Sequence, residues 1–251
     1  VTEGTAVMQR GRRGALGLLG VVALLTLPPG LSPRSPARAE AACPESWYVP
    51  TLVTNTSQGL PQDQDAFALV LLAEPDFRHE AYRNGPFANG FALTRRGHRV
   101  PLIVDELGVG VARLRAATPL SLGLWRVEGL PTAASINIVA GATLPAPPAA
   151  PNEVSLMMPR VRAQAATSDT PREVVAHFEP TTQRSPILLG YWDGELGAAA
   201  RVRQQDDRVT LFRPLRCGNV RPGVRPPAPN AVRELAWLDG FGRVSPRYRV
   251  P

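Results

Sequence analysis

The 251-residue chain has 28 basic residues, every one an arginine, against 21 acidic ones, for a formal net charge of +7. The arginines are scattered and often lie near Asp or Glu, as Arg201 and Arg203 do before Asp206-Asp207; a nucleic-acid surface would gather them into a stripe with interleaved aromatics. Proline at 27 positions leaves few windows for a long helix, because each ring removes a backbone donor and collides with the preceding turn.

Behind Met8 come Arg10, Arg12 and Arg13, then thirteen mostly apolar residues, Ala15 to Leu27. A helix that crosses a bilayer needs roughly twenty. Pro28-Pro29-Gly30 ends the run, and Ala37-Arg38-Ala39 and Ala39-Glu40-Ala41 have the small-x-small form of a cleavage site. Residues 1–41 are therefore expected to be a cleaved signal peptide with its upstream residues. The mature chain would have no membrane span and would work in the periplasm or outside the cell. Residues 1–41 carry five Arg and two Glu, a local +3, so cleavage lowers the net charge from +7 to +4. Glu40, not an aliphatic residue, stands three before Cys43, which speaks against a lipid anchor there.

The two cysteines, Cys43 and Cys217, would meet in a compartment that permits disulfides. One bridge is the simplest account. By the loop-entropy model, closing about 175 residues stabilises the fold by on the order of 5 kcal/mol. Two cysteines cannot close a four-ligand zinc site.

The stretch 141–153 has prolines at 145, 147, 148 and 151 and reads as an extended linker. It separates residues 42–140 from residues 154–251, two halves of the size of a β-sandwich. In the first half, Ala112, Leu114 and Ala116 alternate with Arg113 and Arg115, Trp125 and Val127 with Arg126 and Glu128, and Ile136 and Ile138 flank Asn137. This is the period-two pattern of strands with one face inward. Asp65 to Leu72 is apolar at nearly every position, as in a strand covered on both faces. The second half repeats the pattern around Val161 to Ala165, Val209 to Leu211, Leu235 to Trp237 and Tyr248 to Val250. Turn signals separate the runs: Asn84-Gly85, Asn89-Gly90, Asp193-Gly194, Gly218-Asn219 and Asp239-Gly240. Thr170-Pro171-Arg172-Glu173 could start a helix, yet Val174, Ala176 and Phe178 alternate, so a strand or one short helix fits equally. The expected fold is all-β, with six or seven strands in each half.

Leu60-Pro61-Gln62-Asp63 leading into Ala66 to Leu71 resembles the opening of bacterial immunoglobulin-like domains. Leu114 to Leu120 followed by Gly123-Leu124-Trp125-Arg126-Val127 is similar to their glycine–aromatic corner, and Ala236 to Pro246 to the last hairpin of such domains and of fibronectin-type-III-like ones. Arg243 stands where that hairpin more often has Asn. The resemblance implies two Ig-like antiparallel β-sandwich modules and nothing about a ligand.

Motifs for chemistry are sparse. The chain lacks Gly-x-Ser-x-Gly, a phosphate-cradling glycine loop and His-Glu-x-x-His. None of His79, His98 and His177 has metal-ligand spacing to another. Asp63 and Asp65 could be half of a calcium site, but solvated turn carboxylates are the commoner case. Met157-Met158 could serve copper, but a buried strand explains them more simply. No catalytic residues, metal or cofactor are assigned. Two aromatic pairs, Trp47-Tyr48 and Tyr191-Trp192, are the candidate binding residues, one ring of each expected inside and one partly exposed. The expected function is non-catalytic binding in the cell envelope, to a protein or glycan partner, through sandwich edges and loops. The alternative is an exported hydrolase or enzyme accessory domain with a site near Asp76, His79 and Glu80.

Overall fold

A computed structural model describes residues 48–55, 59–63, 67–75, 84–142, 144–152, 154–158, 173–178, 186–203, 205–213 and 223–251. The expected signal segment, Cys43, Cys217, Trp47, Asp65, the Asp76/His79/Glu80 cluster, the Val161–Ala165 run and the Gly218-Asn219 turn all lie outside the described residues. The described residues are all-β and form several sheets, without a helix.

The first half holds β1 (Tyr48–Leu52), β2 (Leu60–Pro61), β3 (Leu69–Pro75), β4 (Phe91–Arg95), β5 (His98–Gly108), β6 (Val111–Ala116), β7 (Gly123–Glu128) and β8 (Ala134–Val139). They are hydrogen-bonded in the order β1-β3-β6-β5-β4-β7-β8-β2, antiparallel except for the β2–β8 pair. The eleven-residue β5 joins two layers. It pairs with β4 through His98–Leu102 and with β6 through Leu102–Gly108, so it leaves one layer and enters the other at Leu102. The sheet thereby folds over a core. Leu69, Leu71 and Ala73 of β3 and Ala112, Leu114 and Ala116 of β6 meet Phe91, Leu93, Trp125, Val127, Ile136 and Ile138 from the other layer.

The second half holds β9 (Val154–Met157), β10 (Val174–Phe178), β11 (Ile187–Trp192), β12 (Glu195–Arg201), β13 (Arg208–Phe212), β14 (Arg233–Leu238) and β15 (Tyr248–Arg249). One sheet runs β13-β10-β9, the other β12-β11-β14-β15. Residues 174–178 are strand, because the Val174, Ala176 and Phe178 face closes this core opposite Leu188, Trp192, Leu235 and Trp237. The Phe178 and Trp237 rings lie 5.9 Å apart. Met157 and Met158 are not both buried as expected: Met157 projects outward at the end of β9, while Met158 packs on the core.

A third apolar cluster joins the halves. Val70 and Leu72 on the far face of β3, with Val53, Val109 and Val111, pack against Ile187, Leu189, Tyr191, Ala199, Ala236 and Leu238. The result is four β layers with apolar contact between each neighbouring pair. Burying one large aliphatic side chain contributes about 1.5–3 kcal/mol, whereas an exposed ion pair such as Arg201–Glu74, at 3.7 Å, contributes under about 1 kcal/mol. Apolar packing thus dominates the junction. Val109 shows how strongly: a β-branched residue at φ 48, disfavoured by its own side chain, it is nonetheless buried in this cluster.

One buried hydroxyl also ties the halves. Thr54 Oγ1 accepts from the Val70 amide at 2.8 Å and donates to the Gly240 carbonyl at 2.6 Å. Gly240 lies close enough that a Cβ there would stand 3.1 Å from Thr54 Cα. Gly240 belongs to the last hairpin, where the Asp239 carboxylate accepts from the Phe241 and Arg243 amides and from Arg243 Nε at 2.7 Å. Arg243, the departure from the resembled pattern, closes the turn as an ion pair. Beyond it, Ser245 Oγ accepts from the Trp237 amide at 2.8 Å, replacing a missing ladder partner. Ser245→Ala leaves that buried N–H unpaired and should cost about 1–3 kcal/mol, readable as a lower urea midpoint with an unchanged slope.

On β5, Asp105 takes a two-pronged hydrogen bond from Arg115 and another from Arg113 at 3.3 Å. The Arg115 bond is the main cause that holds the Asp105 carboxyl below its usual range; partial burial opposes it and Arg113 adds to it. A carboxylate lowered in the folded state stabilises fully above its unfolded pKa and loses that contribution as pH falls through the folded value. Asp105→Asn should therefore cost about 0.5 kcal/mol at neutral pH, and the difference from the parent should close as the solution is acidified below the carboxylate range.

Candidate functional site

The described aromatic candidates, Tyr48, Tyr191 and Trp192, are inside. Tyr48 is buried in the first core. Tyr191 and Trp192 point to opposite faces of β11, as strand alternation requires, but both faces are covered. Tyr191 joins the cluster between the halves and Trp192 the core of the second half. The expectation of one partly exposed ring is corrected for this pair: Tyr191 is 9% exposed and Trp192 3%. Trp192 fits because Gly190 and Gly197 leave room for it; a Cβ at Gly197 would lie within 2.2 Å of its indole nitrogen. That nitrogen donates to the Arg225 carbonyl at 2.8 Å. Arg247 covers the Tyr191 ring, its guanidinium carbon 3.9 Å from the centroid. Burial raises the Tyr191 phenol, with Arg247 opposing and Glu234 adding to the shift. Neither ring offers an open face to a sugar or peptide.

A different site emerges at the β4–β5 end of the first half. Arg95 and His98 pair across the hairpin, and the two-residue turn between them, Arg96-Gly97, has φ 46 and 82. Turns with two positive φ values match the twist of the flanking strands and favour Asn-Gly; here an arginine takes the first position and stands exposed. Phe91 and Leu93 face the core, so Arg95 is the next residue on that face. It emerges where the core ends. On the neighbouring strand the same level is held by Trp125, one step beyond the Thr94–Arg126 pair.

Ser121 fixes both side chains. Its hydroxyl accepts from Arg95 Nη1 at 3.0 Å, and its carbonyl accepts from the Trp125 indole at 2.8 Å. The guanidinium lies across Gly123, where φ is +118 and a Cβ would stand 2.7 Å from Arg95 Nη2. Glycine is thus required twice, for its backbone angle and for this close approach. Arg95, Arg96, His98, Ser121 and Trp125 line an open cleft of about 250 Å³. No carboxylate lines it; the nearby Glu128 is paired with Arg99 at 3.2 Å. Two guanidiniums and an imidazole gathered with an indole around one opening can hold an anionic group.

Sequence reasoning missed this cleft because it weighed the arginines across the whole chain. The local signal was Arg95-Arg96-Gly97-His98-Arg99, four basic residues in five. Among the described residues, no group of three or more His, Cys, Asp or Glu side chains could hold a metal ion, and no helix is long and apolar enough to cross a membrane. Asp63 is exposed, its backbone carbonyl accepting from the Phe67 amide at 2.8 Å.

Comparison with protein-family models and with curated proteins finds no match. Among solved structures, the chain is similar to the central fibronectin-III array of RIM-binding protein, with 14% identity and a TM-score of 0.23. That match covers 85% of this chain and 65% of the other, so this chain spans just under two thirds of that array's length.

Proposed function

We propose that the chain is an exported, non-catalytic binding protein of the cell envelope, made of two immunoglobulin-type sandwich modules joined face to face. It contacts a protein or glycan partner through the β4–β5 turn and the neighbouring outer strands. The cleft beside that turn is the observation that carries this reading. Leu122, 43% exposed, follows directly on Ser121 and places apolar surface beside its basic groups. Such a mixture of apolar contact and directed charge suits recognition.

The groups in the cleft favour holding a ligand over converting it. Ser121 Oγ is hydrogen-bonded to a guanidinium, which has only donors and cannot take its proton. A nucleophilic serine needs the opposite neighbour, a base. The short apolar run behind Arg10, Arg12 and Arg13 supports export.

A photo-crosslinking residue at position 122 tests the reading in intact cells, with the same residue at the distant, exposed position 244 as control. The expected result is one saturable partner captured from position 122, absent from 244 and lost in Arg96→Glu. Capture from neither position, or equal capture from both, would contradict it. N-terminal sequencing of the exported protein should begin near residue 42; recovery of protein still carrying Ala15 to Leu27 would refute leader removal.

A further inference from the structure

We infer that the cleft between the β4–β5 turn and the Ser121–Gly123 corner is an oxyanion site that takes the carboxylate or phosphate group of its ligand. This rests on the binding reading above and specifies the chemistry of the same site. Three features converge. Arg95 is fixed before any ligand arrives, by Ser121 on one side and the bare Cα of Gly123 beneath it, so little side-chain freedom remains to be lost on binding. Among the described residues, no carboxylate forms an ion pair with Arg95, Arg96 or His98, whereas Arg99, Arg113, Arg115, Arg201, Arg213, Arg243 and Arg247 each have one. Three basic groups without an internal counter-ion are thus gathered around one opening. Finally, Arg96 holds a positive φ on a turn where Asn or Gly would be less strained, and strain of this kind concentrates where a side chain serves a ligand.

A planar guanidinium suits the two oxygens of a carboxylate or phosphate. The volume of about 250 Å³ admits such a group with a small substituent and leaves the rest of a larger ligand outside, near the exposed Leu122.

The test titrates the exported full-length protein with inorganic phosphate and, separately, with acetate at constant ionic strength. The readouts are the NMR signals of the arginine Nε–H groups and the Trp125 indole. Saturable shifts of Arg95 and Trp125, at least tenfold weaker in affinity in Arg95→Gln and in Gly123→Ala and unchanged in Arg208→Gln, are expected. Arg96→Gln, which alters only an exposed side chain, should also weaken binding while leaving the amide spectrum folded. Shifts that rise linearly without saturation, or saturation unaffected by Arg95→Gln and Arg96→Gln, would overturn the assignment. Flotation with phosphatidylglycerol vesicles, against phosphatidylcholine, distinguishes sources: Arg96-dependent flotation that phosphate displaces assigns the group to a lipid headgroup, and saturation by free anion without flotation assigns it to a soluble or polymer-borne ligand. Either outcome upholds the site. Crosslinking from position 122 that persists without any saturable anion binding would remove this inference and leave the binding function standing.

Discussion

Leu72→Ala should lower the stability of the whole chain by about 3 kcal/mol, although Leu72 touches neither of the two outer cores. Leu72 is fully buried on the far face of β3, in the cluster that joins the halves. Removing a buried leucine side chain costs about 2–5 kcal/mol, the upper end applying where the walls cannot relax. Here one wall is β11, itself packed on both faces. The diagnostic feature is where the loss is felt. Trp125 reports on the first half, Trp192 and Trp237 on the second. If the halves form one cooperative unit, all three probes move to the same lower denaturant midpoint. Independent halves would show two transitions, with that of Trp192 and Trp237 left unchanged.

Thr54→Val should be nearly as damaging, by a different route. Valine keeps the shape of threonine, so little packing is lost, but the hydroxyl that accepts from the Val70 amide and donates to the Gly240 carbonyl disappears. The buried Val70 amide then stands unpaired, at about 1–3 kcal/mol, and the part-buried Gly240 carbonyl loses its donor. Thr54→Ser keeps both bonds and loses only a methyl group, so it should cost about 1 kcal/mol. Equilibrium urea unfolding of the two variants separates the explanations. A valine variant no less stable than the serine variant would show that the hydroxyl bridge contributes nothing.

Much of this architecture is legible in the sequence because a strand with one dry face writes a period-two signal. Val111–Ala116, Trp125–Val127 and Ile136–Ile138 are all strands, and the Asp193-Gly194 turn closes a hairpin with φ 53 and 84. The Gly123–Trp125 corner is legible for the same kind of reason, as Trp125 fills the core where Gly123 bends the chain. The layer count is harder to read. Alternation predicts that one of Tyr191 and Trp192 faces solvent, and this fails because β11 has a second apolar layer against its other face. Ala236, placed between Leu235 and Trp237, looks like a solvent-side residue in sequence and is fully buried for the same reason. β3 announces its double burial through an unbroken apolar run from Leu69 to Ala73, and β11 carries a similar signal in Ile187-Leu188-Leu189. The cleft is hidden for another reason. Ser121, Gly123 and Arg95 become neighbours only when β7 pairs with β4, and a glycine reserved for the passage of an arginine has no signature of its own.

The joining of the halves through a shared apolar layer is tested most directly by native-state hydrogen exchange at the backbone amides of Leu69–Ala73 and Ile187–Trp192. Strands buried on both faces across one junction should open only when the entire molecule unfolds, so the two sets should give the same opening free energy, equal to that of global unfolding. Exchange from Ile187–Trp192 at a free energy well below that of Leu69–Ala73, or the reverse, would mean that each half opens without the other, and would contradict the account.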